Sequence, residues 1–557
     1  MQAMFSVRWS LVLSFALAPG DFIFGAETGV MRAEVPLFEG LGSHTRPITT
    51  KSSLAQKYFD QGMRFVFGFN HGAAIRSFKE AARLDPECAM AHWGVALASG
   101  PHINFPLVPP PMAEQAWSEL QLAQKHAAGG KPAERALIAA LGKRYAQPQP
   151  EDRSPLDRAY ADAMRETWKA HPKDTDVGVL FAEAMMDLRP WDQWTPEGVA
   201  QPGTEEVVST LDAVLKLDST HPFANHLYIH AVEASPHPER AIPAADRLRE
   251  LQPGLAHNVH MPSHIDIRVG DWHKAIVANV KAVEADRHYR EIVGPPKDLI
   301  IVYAAHNGHM LAYAAMMTGQ RALAMKHIRA MVAGVPEEFL KEYAMMAEGY
   351  VAMPYEVMVR FGLWDEILAS PDHPEYMVFT RALRLAARGV ALAAKGDVKA
   401  ARAEQAAYLA ACKRVPAEET LGNNTAHGIL AVATPMLEGE ILAHEGNVDG
   451  SVAKLREAVK VEDGLKYDEP PGWILPVRHA LGAILMKAGR VAEAEQVYRD
   501  DLARLPENGW SLFGLARSLK VQNKDAEAAG VEARFTKMWK NADIELTSSC
   551  LCQPGTE

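Results

Sequence analysis

The sequence predicts an all-α chain, a right-handed α-solenoid of stacked helix-turn-helix units. Three observations predict it. The chain is 557 residues long, more than one ordinary core organises, whereas stacked repeats grow without a single core. Apolar residues recur at helical spacing over most of that length. Glycine and proline punctuate the pattern in the same order in windows far apart in the chain.

The elements follow in chain order. Arg8 precedes an apolar run, Trp9 to Ala18, and small residues Gly25 and Ala26 then precede Glu27. That order is the grammar of a secretory leader, so residues 1–26 read as a signal peptide and the chain as exported, periplasmic or extracellular. The run is too short to span a bilayer, and no later segment is apolar enough for a membrane span. Residues 27–50 read as a linker. Net charge is -11 with charged residues at 23%, which gives no basic field for nucleic acid.

Two windows then show the repeat most clearly. Tyr58, Gly62 and Phe65 lie on one apolar helix. A turn at Asn70-His71-Gly72 follows, then Ala74, Phe78, Ala81 and Pro86. Far downstream, Gly482, Leu485 and Gly489 are followed by Ala494, Tyr498 and Pro506. In each, small residues let two helices approach, an aromatic fills the seam, and proline stops the second helix. The order resembles the tetratricopeptide repeat, a helix pair of roughly 34 residues. The resemblance extends over most of residues 50–545, with further units beginning at Pro222, Ala256 and Ala305 and near Ala382, Val432 and Glu507. It divides the chain into N-terminal repeats at 51–220, a histidine-rich set at 221–336 and C-terminal repeats at 337–545. It also implies a concave groove that takes a small molecule, a peptide or a protein partner.

Four stretches break the period: Pro101 to Pro111, Leu188 to Gly203 with Trp191 and Trp194, Val293 to Asp298, and Tyr467 to Trp473. Long loops inserted in a solenoid tend to fold over its binding face.

Histidine is concentrated in the middle. Of 22 in the chain, 11 lie between His221 and His309. His226 and His260 are 34 residues apart, as are His230 and His264, so each pair occupies equivalent seats in consecutive units. Within a unit the spacing is i, i+4, which puts both rings on one helix face. His257, His306 and His309 extend the stripe. The resemblance places that stripe on the groove side. Imidazole is the commonest transition-metal ligand, and helical His-x3-His presents two nitrogens to one ion. These seven histidines are therefore candidate ligands for copper, zinc, iron or nickel, in one site or two. Glu233, Asp266 and Glu183 are the nearby acids, with Glu233 a candidate ligand or proton-transfer base. His92 and His479 are candidate groove residues. The rival reading of the same stripe is a histidine-lined site for a peptide or organic ligand.

No phosphate loop, nucleophile elbow, nicotinamide fingerprint, zinc-finger spacing or His-Glu-x-x-His is present. Four cysteines make no disulfide framework. Cys550 and Cys552, in the tail 546–557, either hold a soft metal, pair with Cys88 or Cys412, or have no role. Two functions are expected from these features. One is a metal-binding solenoid, a candidate metal-dependent oxidoreductase or hydrolase. The other is a non-enzymatic scaffold binding a peptide or partner protein.

Overall fold

The computed structural model describes residues 35–294 and 300–553. The leader expected at 1–26 and most of the loop expected at 293–298 lie outside the described residues. From Leu37 onward the chain forms one compact unit. Its described residues form 27 α-helices and a single two-stranded ribbon, Thr420–Leu421 with Asn424–Thr425. The helices stack as antiparallel pairs along the sequence, each pair packing on the next, as the repeat pattern requires. No helix among them is long and apolar enough to cross a membrane.

The seams explain the punctuation. Phe78, fully buried, lies between Gly62 of its own unit and Gly94 of the next, and a Cβ at either glycine would overlap its ring. Tyr498 is held in the same way between Gly482 and Gly514. One aromatic thus fixes the spacing within a pair and between pairs, which is why small residues recur at these seats.

Helix starts follow capping rules. Ser52 Oγ accepts from Ala55 N, and Asn70 Oδ1 accepts from Ala73 N at 3.1 Å. The Asn70-His71-Gly72 turn is therefore shorter than expected. Asn70 is the cap, and His71 already opens the helix His71–Leu84. The unit expected from Ala305 starts earlier, within the helix Ile300–Met317.

Both flanking segments pack against the helices. Residues 37–50 do not hang free as a linker. Leu41 and Ile48 are buried, Arg46 donates to Asp174 and Asp176 at 2.7 and 3.0 Å, and Thr49 N donates to Glu134. Residues 546–553 of the tail are also packed. Cys550 is bonded to Cys552, not to Cys88 or Cys412, both of which are free thiols. Gln553 donates to buried Glu440, and Ser549 Oγ pairs with Tyr498 Oη at 2.7 Å.

Candidate metal centre

Three helices carry the histidines. Pro222–Val232 opens with Pro222 at its first position, where a missing N–H costs nothing, and His221 Nδ1 caps it by accepting from Ala224 N. It presents His226 and His230. The next first helix is interrupted: Ala256–His260 and Pro262–Val269 abut at Met261, whose backbone stays α-helical. Pro262 removes one N–H, but the helical path continues, so His260 and His264 keep their i, i+4 relation. Ile300–Met317 contributes His306.

Six of the seven expected histidines gather into two adjoining groups, His226–His230–His257 and His260–His264–His306. Within each group one nitrogen of each ring lies within 4.8 Å of those of the other two. The groups abut, with 5.6 Å between the ring centres of His230 and His264 and 5.9 Å between those of His257 and His260.

Hydrogen bonds fix the tautomers in the first group. His226 Nδ1 donates to the Phe67 carbonyl at 2.7 Å, and His230 Nδ1 donates to Glu233 Oε1 at 2.9 Å. With their one proton spent there, both Nε2 atoms carry bare lone pairs, and both are buried without a partner. Neither nitrogen of His257 has a partner. Burial, reinforced by the neighbouring imidazoles, holds His226 and His257 neutral well below the ordinary histidine range, and burial takes His230 down to about 3.

The second group is built alike. Asn279 Nδ2 donates to the Ala275 carbonyl, which turns its Oδ1 toward His260 Nδ1 at 2.6 Å. His264 Nδ1 donates to Glu233 Oε2 at 2.7 Å and also meets Glu469. The Nε2 atoms of His260 and His264 then face each other at 2.6 Å. Burial opposes charge on His264, but Glu469 and Glu233 outweigh it and push its pKa up to about 10. Burial and the neighbouring rings hold His260 and His306 well below the usual range.

Glu233 therefore touches one ring of each group with its two oxygens. It accepts from Nδ1 of His230 and of His264, and with those two rings it forms a further grouping that could hold a cation. Carboxylates in this place fix ring orientation and raise ligand basicity.

Three inserted loops close over the rings. The Trp191 ring lies 5.3 Å from His230. His102 of the proline loop stacks on Phe69 at 4.8 Å, and Phe69 stands 4.6 Å from His226. Glu469 arrives from the fourth loop and is bonded by Tyr467 Oη. The stripe expected to line an open groove is thus enclosed. His226 and His260 are fully buried, and His264 is 1% exposed.

The remaining candidates lie elsewhere. His309 is buried beside Tyr350, 5.9 Å between ring centres, and joins neither group. His92 uses both nitrogens, on Glu119 and the Pro86 carbonyl, so it offers no ligand atom. His479 is locked between Asp501 and Arg360 at 3.0 and 2.8 Å, in a buried network far along the chain. Asp266 is held by Arg249 at 2.5 Å. Glu183 sits buried near Asp187 and Arg144. Desolvation and the Asp187 charge push it up to about 8. A separate grouping, His44–Asp176–His221, ties residues 37–50 to the helices through Arg46.

No family model matches the sequence, and no curated protein matches it. Solved structures do resemble it. The Cut9–Hcn1 hetero-tetramer of the APC/C aligns at 14% identity and TM-score 0.31, over 85% of this chain and 78% of that one. The human IFIT1 dimer with m7Gppp-AAAA aligns at 12% and 0.32, over 88% and 91%. The P58(IPK) TPR domain aligns at 11% and 0.20, over 84% and 98%. At such values the likeness carries nothing about ligands or activity. The helix pairs with their shared aromatic seams decide the fold. The protein is a helical-repeat solenoid.

Within this solenoid, four contributors escape the sequence: the Phe67 carbonyl, Asn279, Glu469 and His71. His71 Nδ1 donates to the Ala98 carbonyl at 3.0 Å, and its ring lies 4.3 Å from that of His102. Only Glu469 had a signal, the proline-glycine loop that carries it.

Proposed function

We propose that the protein holds a transition metal on His226, His230 and His257, in a site closed by its inserted loops. One observation carries the reading. Three buried imidazoles point nitrogens without partners at one place, while Phe67 and Glu233 fix two of the rings from behind. Leaving a buried polar atom unsatisfied costs about 1–3 kcal/mol, so three together need a compensating ligand. A cation supplies it, and neutral imidazole suits zinc, copper, iron and nickel.

Three protein ligands leave a coordination position for a small molecule, the arrangement of catalytic rather than structural sites. The metal would polarise or exchange electrons with what binds there, and the residues would orient it and exclude water. A redox or hydrolytic metalloenzyme is the activity this arrangement favours. The leader at 1–26 favours export, and the Cys550–Cys552 disulfide is of a kind that persists in oxidising compartments. The repeat architecture itself supports a second reading, a scaffold that binds a peptide or partner protein on its remaining surface.

Titration of the chelator-treated full chain with Co²⁺ tests the metal reading. A visible absorption band of nitrogen-ligated cobalt, lost in His226→Ala and in His257→Ala with helicity kept, is expected. A wild-type chain that folds but develops no band contradicts it and leaves the scaffold reading, to be pursued by pull-down.

A further inference from the structure

Two ring nitrogens are brought face to face in the second histidine group. The proton of His260 lies on Nδ1, because Asn279 offers only an oxygen once its Nδ2 has donated to the Ala275 carbonyl. The proton of His264 lies on Nδ1 for a similar reason, facing Glu233. With only those two protons on the rings, both Nε2 atoms would be acceptors, and they face each other at 2.6 Å. Two acceptors at that distance repel unless a cation lies between them.

A proton or a metal ion would serve. A proton needs only the two facing nitrogens. This group brings a third: His306, from a different helix, has its ring centre 4.6 Å from that of His260 and 5.7 Å from that of His264. All three present a nitrogen within 4.8 Å of the others, the same arrangement as in the first group. The two groups also share one carboxylate, since Glu233 holds His230 with one oxygen and His264 with the other.

We propose that His260, His264 and His306 hold a second transition-metal ion, so that the chain carries a two-ion centre whose halves are joined through Glu233. This rests on the first group holding an ion. The repeat explains how it arose in the fold: consecutive units supply the same i, i+4 pair, and each pair gains its third ring from the following helix. His257 completes the pair of the unit before it, and His306 completes the pair of its own predecessor. Two ions side by side suit a substrate that offers two donor oxygens or takes two electrons, such as a phosphoester or dioxygen.

Counting zinc per full-length chain tests this. The protein is stripped with chelator, loaded with excess Zn²⁺ alone, freed of unbound metal by gel filtration and analysed for metal and protein. Two ions in the wild type, falling to one in His306→Ala, are expected. His306→Gln replaces that variant if circular dichroism shows it misfolded. One ion in the wild type, kept in His306→Ala and lost in His257→Ala, overturns the second site and leaves the first. Two ions in both wild type and His306→Ala also overturn it, because the second ion then lies elsewhere. No zinc in the wild type removes the first site, and this one with it.

Discussion

Replacing Glu233 by glutamine tests how the rings are oriented without touching a histidine. The carboxylate accepts from His230 Nδ1 at 2.9 Å and from His264 Nδ1 at 2.7 Å. A glutamine keeps the shape but has one oxygen and one NH2. Its oxygen can serve one ring only. His264 Nδ1 keeps Glu469 as an acceptor, so the amide group falls to His230, whose Nδ1 must then accept and whose single proton moves to Nε2, the atom aimed at the proposed ion. The first group then loses a ligand. Loss of such an outer carboxylate typically costs about 10–100-fold in metal affinity, or roughly 1.4–2.7 kcal/mol. The assay is competition for Zn²⁺ against a chromophoric chelator, with circular dichroism and thermal midpoint as controls. An unchanged affinity in folded Glu233→Gln refutes the tautomer argument. A weakened affinity matched by loss of helicity leaves folding, not orientation, as the cause.

Other expectations follow from the same structure. Gly482→Ala places a Cβ into the Tyr498 ring, so it should lower the thermal midpoint, with a cost of about 1–3 kcal/mol for overpacking. Gly530→Ala, on a helix with nothing within 4 Å of its Cβ, should shift the midpoint the other way, by about 0.5–1 kcal/mol. Equal effects at the two sites would contradict the seam assignment. Burial raises the carboxyls of Glu356 and Glu462 to about 8 from an ordinary 4.5. Folding thus favours their protonated forms, a stabilisation full below about 4.5 and lost as pH rises through about 8. The thermal midpoint should fall between pH 6 and 9, with a shallower slope in Glu356→Gln; identical slopes would show that Glu356 does not contribute. Trp191→Ala should speed removal of bound zinc by chelator if that ring helps close the site, and an unchanged rate would place the barrier elsewhere.

The fold was legible because it is local. Gly62 with Phe78, and Gly482 with Tyr498, are close in sequence, and one seam repeated along the chain specifies the architecture. The two histidine pairs were legible for the same reason, since register and helical spacing alone set them on one stripe. What the stripe faces was not. Glu233 was visible as an acid near His230, but its second oxygen meets His264, and only the packing of consecutive units brings those together. Glu469 comes from a loop more than two hundred residues away, and the Phe67 carbonyl has no side-chain signature at all. His309 shows the opposite failure. It shares the register of His226 and His260, yet its ring turns to Tyr350, because the last helix of the three has no following histidine helix to meet. His92 and His479 matched groove seats by number, and local partners, Glu119 and Asp501, claim their nitrogens instead.

Elemental analysis of the full-length chain, expressed without a histidine tag and purified without chelator, tests the central claim most directly. The account predicts a transition metal in stoichiometric amount, lost on replacing His226 and His257 together while the helical spectrum is kept. A folded wild-type chain that carries no transition metal, and takes up neither zinc, copper nor iron when they are supplied, would contradict it.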